Sequence, residues 1–165
     1  MTMILRDAHA GDFASILALN AESVHFLSPL DPARLAHLHA QAAYHRVVDV
    51  DGSVRAFLLA FREGADYDSP NYRWFARQYA QFLYIDRVVV SPAARGQGLG
   101  VTLYDDLFAF AAQIGCTRVT CEFDQEPPNP VSAQFHARYG FAEVGSQWVA
   151  GGTKRVSLQA RELLR

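Results

Sequence analysis

The chain is poor in cysteine, methionine and tryptophan, with two of each in 165 residues. Cys116 and Cys121 are too few for a disulfide framework, and a reducing, cytoplasmic setting is what that predicts. Cys121 lies in an apolar run and reads as plain core. An excess of charge of either sign is also lacking. Fifteen Lys and Arg against seventeen Asp and Glu leave a formal net charge of −2. This balance gives no electrostatic case for nucleic acid or an anionic membrane as partner. No apolar run approaches the ~20 residues of a bilayer-spanning helix. The first residues, Met-Thr-Met-Ile-Leu-Arg-Asp, lack the charged start and long apolar stretch of a secretory leader. No repeat, low-complexity run or linker interrupts the chain. It reads as one domain over residues 1–165, long enough to bury a substantial core.

Two phosphate fingerprints are missing as well. The dinucleotide pattern G-x-G-x-x-G would need glycine at 101 or 103, where Val101 and Leu103 stand. The triphosphate loop G-x-x-x-x-G-K-[ST] is absent. What is present begins at residues 82–90, an apolar run ending in Val88, Val89 and Val90, which predicts a mostly buried strand. Ser91-Pro92 stops it, because proline cannot donate to a ladder. Arg95-Gly96-Gln97-Gly98-Leu99-Gly100 then opens a helix whose apolar face is Leu99, Leu103, Leu107, Phe110 and Ile114. Strand, glycine-rich turn and helix N-terminus together make an anion site. Unpartnered N–H groups and the helix dipole favour negative charge there, and glycine lets the anion approach the backbone.

Arg95-x-x-Gly98-x-Gly100 after a strand resembles the acetyl-CoA pyrophosphate loop of the GNAT superfamily of N-acetyltransferases. Asn129-Pro-Val-Ser132-Ala-Gln-Phe135-His136-Ala-Arg-Tyr139-Gly140-Phe141 resembles the superfamily's second motif, with Gly140 at a helix C′ position. The two motifs span residues 84–141. The resemblance implies an α/β (α+β) GNAT fold, with a mixed central sheet of about seven strands and helices on both faces. It implies acetyl-CoA as cosubstrate and a primary amine as acceptor. Carried over, the backbone of Val88, Val89 and Val90 would pair with the pantetheine chain. The amides of Arg95, Gly96, Gln97, Gly98, Leu99 and Gly100 would hold the pyrophosphate, and Asn129, Ser132 and Phe135 would complete the cofactor groove.

For the leaving thiolate the resemblance points to position 136, occupied here by His136. Imidazole, with an ordinary pKa of about 6.5, can protonate a thiolate. Tyr139, one turn away, is the competing acid, and a purely hydrogen-bonding role is the alternative for His136. For the base, Asp86 is favoured. Regular alternation puts residues 84, 86, 88 and 90 on one strand face, and burial among aromatics would raise a carboxyl toward useful values. Glu122 is the alternative base. Asp86 could instead pair with Arg87 or Arg73 and only shape the pocket.

The rest of the chain reads as supporting structure. Residues 3–6 predict a strand, 13–22 a helix capped by Asp12, and Asp31-Pro32 the start of a helix through about 43. Asp51-Gly52 between 44–50 and 54–61 predicts a hairpin. Residues 63–73 read as a long polar loop, either a lid over the acceptor site or a packed surface loop, followed by a short helix over 74–79. Tyr84, Tyr67, Asp68, Tyr72, Arg73 and Trp74 are the candidate acceptor-binding residues. Arg62, Arg73 and Arg77 are candidate partners for an acceptor carboxylate, and Asp66 and Asp68 for a cationic amine. His37, His39 and His45 lack the acidic or thiol partners of a metal site, so no metal is expected. A strand over 117–123, a helix over 130–139 and a hairpin of 142–149 with 154–159 complete the chain. Edge pairing through that hairpin would allow a homodimer. Within the enzyme class, a peptide acceptor and a small-molecule acceptor remain open, and a non-catalytic acyl-CoA sensor is the competing class.

Overall fold

In a computed structural model, which describes residues 1–23 and 27–163, seven strands form one sheet in the order β1-β2-β3-β4-β5-β7-β6. They are β1 (Met3–Asp7), β2 (Tyr44–Val50), β3 (Ser53–Arg62), β4 (Leu83–Val90), β5 (Arg118–Glu126), β6 (Ala142–Val149) and β7 (Lys154–Glu162). Every neighbouring pair is antiparallel except β4 and β5.

Local chemistry accounts for the elements. Asp51 (φ 52°) and Gly52 (φ 87°) turn β2 into β3, the paired left-handed conformations of the tight hairpin that Asp-Gly favours. Asp31 accepts from the Arg34 amide and Pro32 occupies the first turn of α2 (Pro32–Gln41). Asn129 and Pro130 do the same for α5 (Pro130–Arg138). So do Ser69 and Pro70 for α3 (Pro70–Gln78). The 63–73 stretch expected to be loop is therefore loop only to Ser69, since the cap-and-proline pair starts a helix four residues earlier than the aromatic run suggests.

The helices cover both faces. On one, Leu99, Leu103, Tyr104, Leu107 and Ala111 of α4 (Leu99–Gln113) pack on Leu58, Leu83, Ile85, Val119 and Cys121, with Phe135 and Tyr139 at the margin. On the other, Ile16 and Leu19 of α1 (Phe13–Glu22) and Leu35 of α2 pack on Val47, Phe57 and Val89. Beside them Tyr72 and Phe75 of α3 join Leu38, Phe61, Phe82, Tyr84 and Leu158. Fully burying a Leu or Phe side chain is worth about 1.5–3 kcal/mol, so these stripes clamp the sheet from both sides.

Two irregularities position the site. β4 and β5 pair only at Leu83–Val119 and Tyr84–Thr120. Beyond that point the strands separate, and β4 from Ile85 onward has no ladder partner on β5. In the β3–β4 ladder, Leu59 lies opposite Arg87 and Ala60 opposite Ile85, which leaves Asp86 as an extra residue, a β-bulge. The bulge overturns the expected face. Tyr84, Val89 and the buried Arg87 lie toward α1–α3, while Ile85, Val88 and Val90 pack toward α4. Tyr84 thus does not share a face with Val88 and Val90, because one inserted residue shifts the two-residue period.

Candidate functional site

A cleft of about 800 Å³ opens where β4 and β5 part. Its walls come from the segment before α2 (Leu27–Pro29), the loop before α3 (Tyr67–Asn71), β4 at Asp86–Val88, β5 at Glu122–Asp124, the start of α5 at Asn129 and Ser132, and the β6–β7 turn. Asp86, Val88, Glu122, Asn129, Ser132, Tyr67 and Asp68 therefore meet in one place.

Glu122 is the chemically distinctive group. The Tyr84 hydroxyl donates to both of its carboxylate oxygens, at 2.9 and 2.8 Å. Burial, then the nearby Asp86 charge, pushes its carboxyl up to about 8, against smaller lowering effects of bonds from Tyr84 and Asn71 and of the Arg87 charge. A carboxylate so placed holds a proton near neutral pH and is ready to exchange it. Asp86 sits in a different setting. The Tyr67 hydroxyl donates to one of its oxygens and Arg87 Nε to the other, the latter at 2.6 Å, with both members of the ion pair at most 5% exposed. Arg87 is held in turn by Asn20 Oδ1 (3.0 Å), the Ser28 carbonyl (3.2 Å) and Ser28 Oγ (3.2 Å). The pairing weighed for Asp86 from sequence is the one found. The bulge carboxylate ties α1 and the 28–30 segment to the strand.

His136 lies just outside the cleft wall and is 5% exposed. Its Nδ1 is 2.8 Å from the Ser132 carbonyl oxygen, which can only accept, so Nδ1 carries the proton. Its Nε2, 2.8 Å away from the Tyr104 hydroxyl, then accepts. Both ring nitrogens are thus occupied within the protein, and burial pushes the imidazole pKa down. Tyr139 points elsewhere, donating to Asp105 (2.9 Å) on α4. The cleft and the two candidate acids are therefore not brought together, except through Ser132, whose Oγ is 3.2 Å from His136 Nδ1.

Of the candidate acceptor-binding residues, Tyr67 and Asp68 reach the cleft. Tyr72 is core, its hydroxyl donating to the Arg62 carbonyl (2.6 Å) and accepting from the Ala65 amide (3.0 Å). Arg73 is exposed on α3. Trp74 packs across β6 on Gly145, where an added Cβ would lie 2.5 Å from its ring. His39 and His45 meet through their Nδ1 atoms at 2.7 Å, and His37 reaches the Asp66 carbonyl. Among the described residues no cluster of three His, Cys, Asp or Glu is arranged to hold a metal ion, and no helix is long and apolar enough to cross a membrane. The sequence reading did not single out Ser28, Arg34, Asn71 or Lys154, which also line the cleft. Only Asn71 carried a signal, its place just after Ser-Pro at a helix start.

At the other end of β4, Gly96 (φ 81°) and Gly98 (φ 74°) carry the chain through left-handed turns into α4. Among the described residues, no protein acceptor takes the amides of residues 96–101. A Cβ at Gly96, Gly98 or Gly100 would meet nothing within 4 Å. The loop is open and its donors are uncommitted, as a diphosphate requires.

A model of the acetyltransferase (GNAT) family matches residues 12–141. The chain belongs to this family. GNAT acetyltransferases use acetyl-CoA, and the open amides of 96–101 suit its pyrophosphate. The chain is 42% identical over 59 residues to a phosphinothricin N-acetyltransferase of Streptomyces coelicolor. That match covers 36% of this chain and 33% of the relative, so it spans about a third of that protein's length. Among solved structures, Ard1 from Thermoplasma volcanium superposes with a TM-score of 0.80 at 17% identity, over 100% of both chains. Arabidopsis thaliana Naa50, in complex with the bisubstrate analogue CoA-Ac-MVNAL, gives 0.74 at 13%, over 98% of this chain and 99% of that one. N-acetylglutamate synthase from Neisseria gonorrhoeae, with coenzyme A and N-acetyl-glutamate, gives 0.71 at 18%, over 100% of this chain and 36% of that one. At these identities the likeness is one of GNAT fold.

Proposed function

We propose that the protein transfers an acetyl group from acetyl-CoA to the primary amine of a small molecule, with Glu122 as the general base. The observation that carries this reading is the Glu122 carboxyl, half-buried and bonded by Tyr84 without a bonded cation, raised to about 8 and facing the cleft where β4 and β5 separate. Acetyl-CoA supplies the acyl group as a thioester. The amides of residues 96–101 hold its diphosphate, and the unpaired edge of β4 beyond Tyr84 offers backbone groups to the chain that follows. Glu122 takes the proton that the attacking ammonium must lose. Tyr84 orients both carboxylate oxygens for that exchange. Asp86 raises the basicity of Glu122 by its charge, and the ion pair with Arg87 keeps Asp86 in place. His136, with both nitrogens engaged, acts as a brace between α4 and α5, so the departing thiolate takes its proton from Glu122 or from water.

The small-molecule acceptor is favoured over a peptide by the named activity of the Streptomyces coelicolor relative, and Tyr67 and the loop before α3 supply one wall for it. The test is incubation with acetyl-CoA and a library of amines and peptides, following release of the free thiol. Turnover of small amines and not of peptides is expected. Acetyl-CoA binding with no turnover on any amine overturns the reading in favour of an acyl-CoA sensor.

A further inference from the structure

The charged groups around the cleft pair off unevenly. Three cations line it, and each already faces a carboxylate. Arg87 is bound to Asp86 (2.6 Å), Lys154 lies 3.6 Å from Asp124, and Arg34 pairs with Asp68. Arg87 directs four hydrogen bonds into Asp86, Asn20 and Ser28 and is 3% exposed, so it cannot turn toward a ligand. Arg34 is also laid over the Tyr67 ring, 5.4 Å from its centroid. The fourth carboxyl, Glu122, has no cation bonded to it. The Tyr84 hydroxyl donates to both of its oxygens. Among the described residues, the cleft therefore has an unmatched acid and no unmatched base.

We infer that the acceptor is a monocationic amine that carries no carboxylate, phosphate or sulfonate, because the one ionic partner the cleft withholds is a counter-cation for such a group. The inference rests on the acetyl-transfer reading above and narrows it. An ammonium beside Glu122 completes an ion pair there, or shares its proton with it, at no net charge. An α-amino acid brings a second, negative group into the same space, and a desolvated anion without a partner is strongly disfavoured. Taking Arg34 for that purpose would release Asp68 and lift the guanidinium from Tyr67.

The test compares matched pairs that differ by one carboxylate: tyramine with tyrosine, histamine with histidine, and phenethylamine with phenylalanine. Phosphinothricin, which carries two anionic groups, is the extreme case. For each compound kcat/KM is measured by thiol release, and the thermal shift of the protein is measured without acetyl-CoA. The decarboxylated member of each pair is expected to exceed its amino acid at least tenfold in kcat/KM and to give the larger shift. Equal or inverted preference overturns the inference, decisively so where the preference for the acid vanishes in Arg34→Ala, which would show Arg34 exchanging partners. Larger thermal shifts with the amines, without any thiol release, would uphold the charge argument and sink acetyl transfer instead. No turnover and no shift with any compound would sink both.

Discussion

The Tyr84 hydroxyl spans both oxygens of the Glu122 carboxylate, at 2.9 and 2.8 Å, from the last residue of β4 that still pairs with β5. Its hydrogen bond favours the charged carboxylate and so opposes the upward push of burial. Tyr84→Phe keeps the ring in the core and removes only that bond. The pH at which kcat/KM reaches half its plateau is expected to move upward. An unmoved profile would separate Tyr84 from the proton transfer.

Glu122 must be unprotonated in the free enzyme to act as base, so kcat/KM is expected to rise with pH through about 8. Glu122→Gln should abolish that limb and lower kcat by roughly 10²- to 10⁴-fold. The same group leaves a mark on stability. Its folded pKa of about 8 lies above the ordinary 4.5. The stabilisation it contributes is complete below 4.5 and is lost as pH rises through 8. Denaturant titrations from pH 5 to 9 should show that decline in the parent protein and a flatter curve in Glu122→Gln.

Gly98 enters α4 at φ 74°, in open space. A β-branched residue there is strained and projects into the room a diphosphate needs. Gly98→Val is expected to weaken acetyl-CoA binding at least tenfold by calorimetry, with the circular dichroism spectrum retained. Unchanged affinity would place the cofactor elsewhere.

His136→Phe removes the partner of the buried Tyr104 hydroxyl and one donor to the half-buried Ser132 carbonyl. A loss of about 1–3 kcal/mol in unfolding free energy is expected, the cost of orphaned polar groups, with kcat changed less than tenfold. A fall in kcat of roughly 10²-fold at unchanged stability would restore His136 as the acid for the leaving thiolate.

Gly145→Ala would set a Cβ 2.5 Å from the Trp74 ring and 2.9 Å from its next atom. Overpacking of this kind costs about 1–3 kcal/mol. A lower Tm is expected, and Trp74→Leu in the same chain should recover part of it by clearing the space.

The elements that local chemistry sets were legible in the residues alone. Asp51-Gly52 could only turn a hairpin, Asp31-Pro32 could only open a helix, and the valine run with its glycine loop marked the turn from β4 into α4. The site's finer roles were not legible, because they depend on partners distant in the chain. The partner of His136 Nε2 is the Tyr104 hydroxyl, 32 positions earlier. Glu122 is distinguished from Asp86 by the absence of a bonded arginine, which a strand's letters do not record. The bulge is a property of two strands together, and it defeated the assumption of strict alternation. The early start of α3 was available in Ser69-Pro70 and was outweighed by the polar run around it.

Asp86 can be removed on paper without disturbing the alternation of β4. With it gone, Tyr84, Arg87 and Val89 would still fall on one side of the sheet and Ile85, Val88 and Val90 on the other, now in perfect rhythm. Hydrogen-bonded pairing thus has no use for this position. Arg87 does, since without that carboxylate it would be a positive charge sealed in the interior with nothing to answer it. The spare residue in β4 serves the neighbouring guanidinium, and through it the cleft, and the ladder bends to make room for it.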